Sequence, residues 1–105
     1  MEEQLYCACR EGKVEEVQNL LQNSQIDINW QNHSNYLTTP FYVACEKGRI
    51  DIVKLLLNDN RVDINKANIR GQTPFFIACY IGHKEVVNVL RNDSNNSFFH
   101  SFFFF

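Results

Sequence analysis

Most of the stretch from Thr39 to Asn65 is written again 34 positions further along, and this period constrains the fold more than any other property of the chain. Thr39-Pro40-Phe41-Tyr42-Val43-Ala44-Cys45 returns as Thr73-Pro74-Phe75-Phe76-Ile77-Ala78-Cys79. In the same register Gly48 returns as Gly82, Val53 as Val87 and Leu56 as Leu90. A weaker copy upstream, at a shift of 36, sets Ala8-Cys9, Gly12, Val17, Leu20 and Asp27-Ile28-Asn29 against Ala44-Cys45, Gly48, Val53, Leu56 and Asp63-Ile64-Asn65. Self-similarity at such a period marks a stack of like units, each burying its apolar face against its neighbours. The 105 residues hold about three of them, close to the minimum at which a stack is stable.

Each unit reads as a helix, a turn, a second helix and an excursion. Thr39-Pro40 and Thr73-Pro74 are helix starts: the hydroxyl accepts a free backbone N–H, and proline at the first helical position gives up only an unpartnered one. Gly48 and Gly82 fall where a short helix stops in the left-handed conformation that glycine adopts without steric cost. A second helix follows, with apolar residues at helical spacing: Val14, Val17, Leu20 and Leu21 in the first copy, Ile50, Val53, Leu56 and Leu57 in the second. Polar residues and Asp63-Ile64-Asn65 then lead to Gly71 and the next Thr-Pro, a pattern that predicts an extended hairpin-like loop.

This unit resembles the ankyrin repeat, with Thr73 to Cys79 and Gly82-His83 as the best matching stretch. The resemblance covers roughly residues 3–92 and implies an all-α solenoid of stacked helix-turn-helix units joined by short β-hairpin-like loops. The expected organisation is a repeat domain over 1–92, with units at about 3–38, 39–72 and 73–92, followed by a polar linker and Phe-rich tail over 93–105. Three departures accompany the match. Tyr6, Tyr42 and Phe76 stand where the family usually has the histidine that bonds to loop backbone. The segment from Leu57 to Asp63 is one residue longer than the usual linker, and Asn29 to Thr39 is two longer than Asn65 to Thr73. These changes lengthen loops and leave the helix pattern intact.

The net charge of −2, with acids and bases interspersed, lacks the clustered Lys and Arg of a nucleic-acid or membrane-surface binder. Met1-Glu2-Glu3 begins acidic, and nowhere is there a run long enough to span a membrane. Cys9, Cys45 and Cys79 recur beside Ala8, Ala44 and Ala78, where first helices stack closely, and read as small buried thiols. Cys7 and Cys9 lack the second pair or His cluster of a zinc site, and unpaired thiols suit a cytosolic or nuclear setting. No phosphate loop, His-Glu-x-x-His or nucleophile elbow is present, so the expectation is no enzyme, no cofactor and no metal.

The function expected is recognition of a partner protein. By the resemblance, the residues just before the turn glycine line the concave face of the stack: Arg10 and Glu11, then Glu46 and Lys47, then Tyr80 and Ile81, a sequence that runs from charged to apolar. The first excursion adds Trp30 and Tyr36 as aromatic anchors, although Trp30 is equally suited to covering the core. The second adds Lys66, Ile69 and Arg70 as candidate tip residues. The alternative is a fragment of a longer array or a self-associating chain that uses the Phe98-Phe99-His100-Ser101-Phe102-Phe103-Phe104-Phe105 tail, which belongs to no repeat and is too short to cross a bilayer.

Overall fold

The computed structural model describes residues 1–93, and the aromatic tail lies outside the described residues. Six helices occur in chain order: α1 (Glu2–Glu11), α2 (Val14–Leu21), α3 (Pro40–Glu46), α4 (Ile50–Leu57), α5 (Pro74–Ile81) and α6 (Lys84–Arg91). They pack as the pairs α1/α2, α3/α4 and α5/α6, with α1, α3 and α5 side by side in one layer and α2, α4 and α6 in a second. At two of the starts the caps are those the sequence encodes. Thr39 Oγ1 accepts the Tyr42 N–H at 3.0 Å and Thr73 Oγ1 accepts the Phe76 N–H at 3.1 Å, each ahead of a proline. The first helix has no side-chain cap. Instead Glu2 reaches back to accept the Asp27 N–H at 3.0 Å, and this bond holds its carboxyl below the usual carboxylate range.

The helix pairs close in the same way three times. Lys13, Arg49 and His83, each following a turn glycine, donate their N–H to the carbonyls of Ala8, Ala44 and Ala78 at 3.0, 2.9 and 3.0 Å. Those alanines are fully buried, so adjacent first helices approach closely, and Leu5, Phe41, Val43, Val53, Leu56 and Phe75 fill the space around them. Burial of the cysteines changes along the stack. Cys9 and Cys45 are sealed, and desolvation pushes the Cys9 thiol up to about 12 and the Cys45 thiol well above its ordinary value. Cys79, expected to be equally buried, is partly exposed and its thiol is raised as well. The described chain sets no further first helix beside α5.

The excursions are hairpin-like loops without strands. Among the described residues there is no named strand, only an isolated antiparallel bridge between Asn32 and Thr38. Side-chain carboxylates and amides organise the backbone instead: Asp27, Asn32, Asp63 and Asn68 each accept the N–H two residues on, at 2.9 to 3.1 Å. This accounts for the density of Asn and Asp in both segments. A ladder would duplicate bonds that these side chains already make.

Candidate protein-binding surface

The first excursion closes where Asn32 N–H bonds to the Thr38 carbonyl at 2.9 Å, and the second where Asn68 N–H bonds to Gln72 at the same distance. Residues 33–37 form the first tip and 69–71 the second, so the two extra residues of the first connection lie in its tip. In the second tip Gly71 takes the left-handed conformation at φ 78°. In the first, Tyr36 and Leu37 take it at φ 55° and 61°. For residues with a Cβ this costs roughly 1–2 kcal/mol each, and such outliers persist only where the surroundings enforce them.

A closed ring of hydrogen bonds enforces this one. Asn35 Nδ2 donates to the Tyr6 hydroxyl at 2.6 Å, Tyr6 donates to Thr38 Oγ1 at 2.8 Å, and Thr38 donates to the Asn35 carbonyl at 2.8 Å. The direction follows because the Thr38 proton is committed to a carbonyl. Tyr42 does related work one unit on, its hydroxyl lying 3.2 Å from Asn68 Nδ2. The tether that the family assigns to histidine is thus supplied by phenols on α1 and α3. Phe76 has no hydroxyl and stacks on Tyr80 instead, with centroids 5.9 Å apart and planes 17° from parallel.

The two tips are fastened together. Ile69 donates its N–H to the Tyr36 carbonyl at 2.8 Å, and the Arg70 guanidinium sits 4.9 Å above the centre of the Tyr36 ring. Tyr36 is 58% exposed and Ile69 64%. On α5, Tyr80 is 79% exposed and Ile81 48%. Apart from Met1, these four are the large apolar residues standing exposed among those described. Lys47 is exposed and Glu46 partly buried. Lys66 is partly buried and precedes the second tip instead of standing on it. Trp30 is also partly buried, its ring edge-on to Tyr6 at 6.0 Å, so it packs against α1 and the core. One side of Trp30 remains open to a shallow pocket lined by Glu3, Tyr6, Cys7, Asn32, His33 and Ser34.

Sequence reasoning missed the clasps between units. Arg49 Nε donates to the Arg10 carbonyl at 3.0 Å, and His83 Nε2 lies 2.8 Å from the Glu46 carbonyl, an acceptor that requires the proton on Nε2. Both acceptors are near the C-terminal ends of first helices, where carbonyls lack intrahelical partners. Arg61 does the same for α2, donating to the carbonyls of Leu21 and Asn23 at 2.9 and 3.1 Å while Asp59 holds its guanidinium at 2.7 and 3.0 Å. Asn29 completes the junction, giving its Nδ2 to the Arg61 carbonyl and taking the Asp63 N–H on Oδ1 at 2.7 Å. The signal available was a long donor immediately after each turn glycine. Among the described residues, no group of three or more His, Cys, Asp or Glu is placed to hold a metal ion.

Three helix pairs stacked in register, with fastened loop tips projecting from one layer, define a repeat solenoid. A family model described as ankyrin repeats in three copies matches residues 5–99, nearly the whole chain, and the chain belongs to the ankyrin-repeat family. Proteins of this family are generally protein–protein interaction modules. No curated protein matches it. Among solved structures, it is similar to a chain in the complex of the Bd0816 predatory endopeptidase from Bdellovibrio bacteriovorus with the immunity protein Bd3460. The TM-score is 0.76 at 31% identity, over 87% of this chain and 46% of the other, so the present chain spans about half the neighbour's length. No described helix is long and apolar enough to cross a membrane.

Proposed function

We propose that this protein is a non-catalytic interaction module that grips a partner protein through its two fastened loop tips and the exposed ends of its first helices, in a cytosolic or nuclear setting. The observation that carries the reading is the coincidence of exposure with position. Tyr36, Ile69, Tyr80 and Ile81 stand in water on a rigid scaffold, at the places where a repeat stack meets its partner. Aromatic residues there offer large contact area with little side-chain entropy to lose, and the pinned tips are ordered before contact. The backbone strain at Tyr36 and Leu37 fits the same account, since it holds a tyrosine outward against its own conformational preference. Glu46, Lys47, Lys66 and Arg70 serve as the charged surround, and Trp30 as a second aromatic edge beside α1. The solved complex that contains the neighbour joins two proteins, which supports a protein as the ligand class here.

The test is comparative capture from the native source, using the wild-type chain, a Tyr36→Ser/Ile69→Ser pair and a Tyr80→Ser/Ile81→Ser pair, each first shown to keep its helicity. A specific partner should be retained by the wild type and depleted about tenfold or more by either pair, the loss typical of interface anchors. Equal capture by all three chains would place binding elsewhere.

A further inference from the structure

We propose that the pocket beside Trp30 receives an arginine side chain of the partner protein, its guanidinium lying on the indole and pairing with Glu3. This deepens the interaction surface proposed above and rests on that reading. The pocket holds about 370 Å³, in the range of sites that take small ligands. Glu3, Tyr6 and Cys7 of α1 form one wall, and the first excursion around Trp30 forms the other. The Tyr6 and Trp30 rings stand at 80° to each other with centroids 6.0 Å apart, which makes an aromatic corner. The polar groups of the lining are largely committed. The Tyr6 hydroxyl is engaged by Asn35 and Thr38, and Asn32 Oδ1 accepts the Ser34 N–H at 2.9 Å. The Glu3 side chain is exposed and, among the described residues, makes neither a hydrogen bond nor an ion pair.

The occupant follows from charge and shape. An indole face attracts positive charge through its quadrupole, and an unpaired carboxylate beside it favours the same sign. An anionic or purely apolar group would leave Glu3 unanswered. Arginine suits the corner better than lysine, because its flat ion stacks on a ring while its fork of donors still reaches a carboxylate. The chain's own Arg10 is already committed: its guanidinium lies 3.6 Å from Cys7 Sγ and is paired with Glu11 at 3.3 Å. The pocket is also continuous with the first tip. His33 and Ser34 belong to that tip and line the pocket, and Tyr6 holds the tip through Asn35 at 2.6 Å. Partner backbone flanking the seated arginine therefore runs onto the loop that carries Tyr36.

Trp30 is the only tryptophan of the chain, so its fluorescence reports on this pocket. The probe is the peptide acetyl-Gly-Arg-Gly-amide, titrated into the full chain beside the same peptide carrying citrulline, a neutral isostere of arginine. The arginine peptide should change the emission saturably at millimolar concentration, and the citrulline peptide should bind about tenfold more weakly. Glu3→Gln should weaken the arginine peptide about fivefold, and Tyr36→Ser, which alters only the tip, should leave it unchanged. Equal response to the two peptides, or a response indifferent to Glu3→Gln, would overturn the proposal. The titration needs no partner, so it fails separately from the capture experiment. Capture lost by the tip variants together with a silent Trp30 would overturn the arginine pocket and leave the interaction module standing. In capture itself Glu3→Gln should deplete the partner about fivefold, and undiminished capture would remove the pocket from the interface.

Discussion

The junction between the first and second units and the outer edge of the third are built from the same sequence positions and end in opposite states. At the junction Arg49, Arg61 and Asn29 cross over to bond carbonyls and an N–H of the neighbouring unit, and Gly12 is overlaid by the Arg49 side chain. At the outer edge, among the described residues, the equivalent Asn65 acceptor has no partner, Cys79 is partly exposed, and nothing lies within 4 Å of where a Gly82 Cβ would be. A unit therefore contains only half of what satisfies its polar groups and covers its apolar ones. The rest comes from the next unit, so stability is distributed along the stack as a set of interfaces and local opening should begin at the third unit.

The sharpest way to break the contrast is one substitution made at two equivalent glycines. Both take positive φ, 68° at Gly48 and 93° at Gly82, so alanine is strained at either. At Gly48 the new Cβ also falls 2.6 Å from His83 Nδ1, which forces the ring away and breaks its bond to the Glu46 carbonyl. Urea unfolding should report a loss of about 3 kcal/mol for Gly48→Ala and about 1 kcal/mol for Gly82→Ala. Equal losses would mean that the overlying histidine contributes nothing. Next in size is Arg61→Ala, expected to lose about 2 kcal/mol because carbonyls at the end of α2 lose a charged donor. Its hydrogen bonds hold the Asp59 carboxyl below the ordinary aspartate range, and a depressed folded-state value stabilises above the unfolded value and is lost as pH falls through the folded one. Wild-type stability should therefore decline below the ordinary aspartate range, and Arg61→Ala should flatten that acid limb.

Much of this architecture was legible because its signals are local. A threonine before a proline caps its own helix, and a glycine nine positions later closes its own turn, so the helix pairs follow from short stretches. The two-residue difference between connections likewise locates itself in the tips. What was hidden joins residues 32 to 40 positions apart through a side chain and a backbone carbonyl or N–H, as Arg49, Arg61, Asn29 and His83 do. A backbone group has no residue type, so half of each such pair leaves no trace in the sequence. The contact candidates divide by the same logic. Tyr36, Ile69, Tyr80 and Ile81 were picked by position and stand exposed, whereas Trp30, Glu46 and Lys66 are each partly covered by neighbours that only the packed structure reveals. The turn residues marked hairpin-like loops, but which backbone bonds the Asn and Asp side chains would take in them was not legible.

The smallest expected effect concerns the two tips, which reach the left-handed conformation by different means. The second uses Gly71, to which that geometry is free; the first uses Tyr36 and Leu37, to which it is not. If Tyr36 is kept for contact, its strain is tolerated in exchange for an outward ring. Asparagine accepts the left-handed region far better than other residues with a Cβ, so Tyr36→Asn should relieve strain while losing the Arg70 stacking, each by roughly 0.5–1 kcal/mol, and leave stability nearly unchanged. Tyr36→Ala loses the stacking and keeps the strain, and should be less stable than Tyr36→Asn by about 0.5–1 kcal/mol in thermal or urea unfolding. Partner capture should fall equally for both, because both remove the ring. Capture that instead follows stability, weaker for alanine than for asparagine, would show that the tip shape matters and the tyrosine side chain does not.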